Sequence, residues 1–199
     1  MHIELTEMLR CPEAHELDVL VLSTGEMVGR MVRSGIAGCP VCKREYRIAN
    51  GVVDFGGPAS TLSASPVPLP REPQTLQALL DLSGPGGYVV LVGEATRHAV
   101  GLASLMGGIH FVGVNPPAGA EELPVLSLLR APTMIPLRPA MARGVVVGPD
   151  RAEAPWLEEA VRVLLRGRRF VVERDDVTPP VGIAQLAVGQ GVWVGEKAG

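Results

Sequence analysis

Metal chemistry is the first possibility this sequence raises. Its three cysteines, Cys11, Cys39 and Cys42, all fall in the first quarter of the chain. Cys11-Pro12-Glu13-Ala14-His15 and Cys39-Pro40-Val41-Cys42 offer four soft or borderline donors in two close pairs. Zinc takes four tetrahedral ligands, and a Cys-X-X-Cys turn aims both sulfurs at one point. Cys11, His15, Cys39 and Cys42 are therefore the candidate zinc ligands. With every position filled by protein, such a metal is structural rather than catalytic. His15 lies one residue beyond where a second Cys-X-X-Cys would place its ligand, a shift that the longer imidazole can span. The alternative is a free thiol pair at Cys39 and Cys42, with His15 a surface histidine. A redox pair usually opens a helix beside a strand, and Pro40 with the strand-like run after it supplies no helix. An odd cysteine count is a poor disulfide framework.

The elements that must hold these ligands read as short strands and turns. Leu17 to Leu22 predicts a strand, and Met27 to Ile36 a second one interrupted by glycine. Tyr46-Arg47-Ile48 and Val52-Val53-Asp54-Phe55 predict a hairpin across Asn50-Gly51. A unit of about 55 residues buries little core alone, so a metal would be needed to hold it. Leu5-Thr6-Glu7-Met8-Leu9-Arg10-Cys11-Pro12, Gly38-Cys39-Pro40-Val41-Cys42 and Tyr46 to Phe55 together resemble the zinc-ribbon family of methyltransferase activators. Members of that family bind and stabilise tRNA, rRNA and translation-factor methyltransferases. The departure from its pattern is His15, with Ala14 where the second cysteine would fall.

Residues 56–73 carry five prolines and little periodicity, and predict an extended linker. The domains expected are thus a zinc ribbon over 1–55, a linker over 56–73 and an α/β domain over 74–199. In the last of these, strands alternate with helices. Tyr88 to Val92, Ile109 to Val114, Val145 to Val147 and Phe170 to Val172 read as buried strands. Gln74 to Leu82 and Thr96 to Met106 read as helices, and Glu121 to Leu129 as a weak one. Thr133-Met134-Ile135 reads as a short strand. Pro155 opens a helix with one apolar stripe that Gly167 stops. Ile183 to Val188 and Val192 to Val194 predict a closing hairpin that could set an antiparallel strand at the sheet edge. The fold class expected is α/β, a small ribbon followed by a shortened, Rossmann-like, mostly parallel sheet with flanking helices.

This second part resembles class I S-adenosylmethionine-dependent methyltransferases, with Val90 to Val100 in the place of their glycine-rich first motif. There, glycines let the backbone approach the cofactor and take positive φ. Gly93 keeps the first glycine, while Ala95 and Arg97 replace the next two. Leu91 stands where an acid is usual in the strand. Asn115 stands where a carboxylate would meet the ribose hydroxyls, and an amide binds these without charge assistance. Asn115-Pro116-Pro117 follows the second strand rather than the fourth, so it reads as structural rather than as an amino-methylation signature. His98 reads as a surface or packing histidine, and Arg97 as a solvated charge. Arg166, Arg168 and Arg169 could offer an edge to RNA phosphate, although clustering at a helix C-terminus already accounts for them electrostatically.

Composition narrows the function. Hydrophobic residues make up 47%, aromatics 4%, and the formal charge is −3. A stacked-ring nucleic-acid platform and a global basic field are both excluded. Neither a membrane span nor a signal-peptide layout is present, so the expectation is a soluble, cytoplasmic protein. The leading expectation is a non-catalytic ribbon and pseudo-methyltransferase that binds a protein partner, a methyltransferase or a second copy of itself among the candidates. The alternative is an active S-adenosylmethionine-dependent methyltransferase with a divergent pocket, acting on RNA or protein, with Gly93 and Asn115 contacting the cofactor. A thiol or metal-responsive switch through Cys39 and Cys42 is a third reading.

Overall fold

The computed structural model describes residues 1–56, 71–120 and 123–199. Most of the expected linker and the start of the expected helix over Glu121 to Leu129 therefore lie outside the described residues.

Strands dominate the chain. The first half supplies β1 (Val21–Thr24), β2 (Met27–Val28), β3 (Met31–Val32), β4 (Gly35–Gly38), β5 (Glu45–Ala49) and β6 (Val52–Asp54). After β6 come α1 (Pro73–Leu80), β7 (Tyr88–Val92), α2 (Ala99–Leu105), β8 (His110–Val114), β9 (Leu126–Arg130) and β10 (Ala142–Val147). The chain closes with α3 (Ala154–Val163), β11 (Leu164–Val172), β12 (Ile183–Gly189) and β13 (Val192–Lys197). Short 3-10 segments occupy Ile3–Met8, Gly93–His98 and Pro149–Arg151.

All but β2 and β3 join one 11-stranded sheet in the order β1-β4-β5-β6-β9-β8-β7-β10-β11-β13-β12. Strands β9, β8, β7, β10 and β11 are parallel neighbours, and the order reverses between β7 and β10. This is a doubly wound, Rossmann-like sheet with its switch point at the ends of β7 and β10. β13 runs antiparallel to both β11 and β12. The antiparallel strand is thus inserted one place in from the edge, and β12 is the edge strand. The arrangement is α/β.

Alternation sorts the strands' side chains onto two faces. On one, Val89, Leu91, Phe111, Val146 and Val171 pack under Leu76 and Leu80 of α1 and Leu102 of α2. On the other, Val90, Val112, Val145, Phe170 and Trp193 pack with Trp156, Leu157 and Val163 of α3. The N-terminal segment completes that second face. Arg10 N–H donates to Pro136 O at 3.1 Å, Arg138 N–H donates to Met8 O at 2.8 Å, and Leu5 and Leu9 are fully buried.

The N-terminal strands, expected as a ribbon, are continuous with this sheet. β4, β5 and β6 form an antiparallel meander, and β6 then pairs in parallel with β9, Val52 beside Leu128 and Val53 beside Leu129. Phe55 N–H extends the ladder to Arg130 O at 2.8 Å. Tyr46, Ile48 and Val53 consequently share one core with Val112 and Leu129.

Several local expectations need correction. Leu126–Arg130 is a strand and not the end of a helix, because it is buried between β6 and β8 and both neighbours satisfy its backbone. Thr133 to Ile135 lies outside the strands. The first ribbon strand is Val21–Thr24, and Met27 to Ile36 breaks into β2, β3 and the start of β4. α3 ends at Val163 with Leu164 already extended, so Gly167 (φ 65°) lies inside β11 instead of stopping a helix.

Candidate functional site

The structure brings Cys11, His15, Cys39 and Cys42 together, with one donor atom from each within 4.8 Å of all the others. Two tight turns place them. Cys11 N–H donates to Asp18 O at 2.6 Å, closing the loop that carries His15. Cys39 N–H donates to Arg44 O at 2.9 Å and Lys43 N–H to Cys39 O at 3.1 Å, with Lys43 at φ 62°. Cys11 and Cys39 are buried, and Cys42 is exposed.

The spacing fits a tetrahedral ion. Zinc–sulfur bonds of about 2.3 Å imply a sulfur–sulfur edge of about 3.8 Å, and Cys11 Sγ lies 3.7 Å from Cys42 Sγ. Cys39 Sγ lies 3.3 Å from His15 Nε2. The surroundings also favour thiolate at Cys39. Burial raises the Cys39 thiol, but backbone N–H groups of Cys42 and Val41 aimed at its sulfur outweigh that and bring it down to about 7. Burial pushes the Cys11 thiol up, opposed by the Tyr46 hydroxyl at 3.3 Å from its sulfur. Burial likewise raises the Tyr46 phenol, which keeps its proton and can donate it to a thiolate. Sequence reading missed Tyr46, although its place two residues inside the strand after the second turn was visible.

The second candidate site lies at the switch point, where doubly wound sheets place their ligands beyond the strand ends. Gly93 takes φ 64°, as a cofactor-approaching glycine would. Yet the space over it is filled: a β-carbon there would collide with both carboxylate oxygens of Asp150 and with the Arg151 stem at 2.7 Å. Glu94 N–H donates to Asp150 Oδ1 at 2.8 Å. Gly148 abuts the amides of Glu94 and Ala95, 2.9 and 2.7 Å from where its own β-carbon would stand. The segments Gly93–His98 and Pro149–Arg151 thus pack directly on each other. Burial pushes the Asp150 carboxyl above the usual carboxylate range, despite the Glu94 amide and the Arg151 guanidinium. Arg97 is bonded to Glu94 rather than solvated.

Asn115 is equally committed. Its Nδ2 donates to Ala131 O at 2.8 Å, and its Oδ1 accepts from Ala131 N–H at 2.9 Å. This two-point clamp joins the ends of β8 and β9. It turns the amide toward the backbone at the position where the resemblance implies ribose contact.

His98 is not a surface residue. It is fully buried, with Nε2 2.8 Å from Oε1 of Glu173, whose side chain is only 2% exposed. The pair ties the turn after β7 to the end of β11. The two residues are far apart in sequence, so the pairing left no local signal. Asp150, directly after Gly148-Pro149 at a strand's C-terminal end, did carry one. Arg166, Arg168 and Arg169 lie on β11, and Arg169 bonds Asp81 at 2.8 Å, so they do not form a helix C-terminal cluster.

No protein-family model matches the chain, and no curated protein matches it. Solved structures do. A geranyl diphosphate C-methyltransferase from Streptomyces coelicolor is 16% identical with a TM-score of 0.43, over 50% of this chain and 41% of that one. The chain thus spans less than half of that relative's length. An S-adenosylmethionine-dependent methyltransferase from Aquifex aeolicus is 16% identical with a TM-score of 0.46, over 63% of this chain and 88% of that one. A chain of the complex between the Haloferax volcanii Trm112 methyltransferase activator and its putative methyltransferase is 19% identical with a TM-score of 0.40, over 50% of each. At these identities the likeness is one of chain path; what the site can do is decided by its own residues.

Proposed function

We propose that this protein is a non-catalytic, zinc-ribbon pseudo-methyltransferase that serves as a binding partner or scaffold for other proteins. The observation that carries this reading is the filled crevice at the switch point. A cofactor crossing the turn after β7 needs the backbone at Gly93 to be open, and the Asp150 carboxylate and Arg151 stem stand over it. Asn115 supports the same reading, since its amide already meets Ala131 at both ends.

In this reading Cys11, His15, Cys39 and Cys42 hold a structural zinc, which supplies cross-linking and no reaction. Through β6 the ribbon is joined to β9 of the methyltransferase-like half. The relationship that the family resemblance implies between two proteins is then built within one chain. Neither the bare parallel edge of β9 nor that of β6 is left for a separate methyltransferase, so partners engage other surfaces. No helix among the described residues is long and apolar enough to cross a membrane.

Isothermal titration of the zinc-loaded chain with S-adenosylmethionine tests the proposal. It predicts no heat of binding at millimolar cofactor. Stoichiometric binding would favour the active-enzyme alternative and require the Asp150 segment to move aside.

A further inference from the structure

The cysteine donors are not equally protected. Cys11 and Cys39 are buried, while Cys42 is exposed, as is Val41 beside it. The sulfur 3.7 Å from Cys42 Sγ is that of Cys11, and a disulfide bond of about 2 Å needs little further approach. Contacts independent of any metal keep the two turns together. Cys11 N–H donates to Asp18 O and Cys39 N–H to Arg44 O. The Arg44 guanidinium meets the Glu13 carboxylate at 3.2 Å, from one turn to the other. Cys39 is engaged differently: its sulfur lies 3.3 Å from His15 Nε2 and receives the amides of Val41 and Cys42.

We propose that Cys42 is an oxidation site, through which hydrogen peroxide converts the Cys11–Cys42 pair into a disulfide that expels the zinc and takes over its cross-link. This rests on the zinc reading above. The exposed Cys42 thiolate attacks one peroxide oxygen; the O–O bond breaks, hydroxide leaves and Cys42 becomes a sulfenic acid. The Cys11 thiolate then attacks the Cys42 sulfur, forming the S–S bond and releasing a second hydroxide. Two thiolates have given two electrons to one peroxide, and the zinc keeps only His15 and Cys39, too few to hold it. The pairing matters for the fold. A Cys11–Cys42 bond joins the same two turns that zinc joins, whereas a Cys39–Cys42 bond would close one turn on itself and leave the Cys11 loop untied.

Treating the zinc-loaded full chain with excess hydrogen peroxide tests this, with zinc release followed by a chromophoric chelator and the disulfide located by non-reducing peptide mapping. One zinc per chain should appear together with a Cys11–Cys42 disulfide, and a dithiol reductant with added zinc should reverse both. The oxidised, metal-free chain should melt above the reduced, metal-free one. Cys42→Ser, where it still takes up zinc, should release it at least about tenfold more slowly. The wild-type map decides the matter even if that variant holds no metal. A Cys39–Cys42 disulfide, oxidation of the cysteines with the zinc retained, or zinc loss with no disulfide would each overturn the proposal while leaving the zinc site standing. A reduced chain that takes up no zinc at all would instead remove the ligand set, and the proposal with it.

Discussion

The carboxylate of Asp150 stands where a β-carbon on Gly93 would have to be, and its Oδ1 accepts the Glu94 amide at 2.8 Å. A residue after β10 has thereby taken over the turn after β7. The strand-to-helix turn keeps the positive φ of a ligand-approaching glycine, while the approach itself is filled by the protein's own side chain.

That placement makes stability depend on pH in an unusual direction for a carboxylate. Burial raises the folded-state pKa of Asp150 above its unfolded value. Its favourable contribution is therefore complete below the unfolded pKa and is lost as pH rises through the folded one. Asp150→Asn keeps an acceptor for the Glu94 amide and removes the buried charge. It should melt at or above the wild-type temperature at pH 7, and the difference should shrink as pH falls into the carboxylate range. Asp150→Ala loses the bond and should cost about 1 kcal/mol. Thermal melts from pH 3 to 8 would check both; an Asn variant clearly less stable than wild type at neutral pH would count against this assignment.

Restoring an acid at position 115 should not restore a cofactor site. Asn115→Asp removes the donor to Ala131 O and sets a carboxylate against that carbonyl. A loss of about 1–3 kcal/mol of stability is expected, with cofactor binding still absent. Chemical denaturation together with calorimetric titration reads the two effects separately.

Metal removal should reach well beyond the ribbon. Because β4, β5 and β6 continue the sheet onto β9, freeing the turns at Cys11 and Cys39 loosens the core around Tyr46 and Ile48. Chelation or Cys39→Ser should lower the melting temperature of the whole chain. His15→Ala, which keeps three sulfurs, should bind zinc more weakly but fold at saturating metal. Elemental analysis paired with circular dichroism checks this. A chain that melts identically with and without metal would mean that the four donors are free.

The shared core also predicts a single cooperative transition. Leu129 is fully buried on β9, between the ribbon and β8. Leu129→Ala should cost about 2–5 kcal/mol and shift one calorimetric peak for both halves together. Two separable peaks would show that the β6–β9 ladder does not couple them.

Much of this architecture was legible because residue chemistry spoke locally. The four metal donors, the Asn50-Gly51 hairpin and the β-branched runs at Val89 and Val145 each carry their own signal. β9 did not: Leu126-Ser127-Leu128-Leu129-Arg130 lacks β-branched residues and alternation, and only burial between two parallel neighbours makes it a strand. The junction at Val163–Leu164 was hidden for a related reason, since no turn residue separates helix from strand there. Long-range pairings left no local trace. The His98–Glu173 contact, the Asn115–Ala131 clamp and the parallel ladder from Val53 to Leu129 all depend on topology.

Native mass spectrometry of the purified chain, with and without S-adenosylmethionine, tests the central claim most directly. The four clustered donors predict one zinc per chain, and the filled crevice over Gly93 predicts no added cofactor mass at high ligand excess. One cofactor bound per chain would contradict it, showing that the Asp150 segment opens and that the site retains a methyltransferase's ligand.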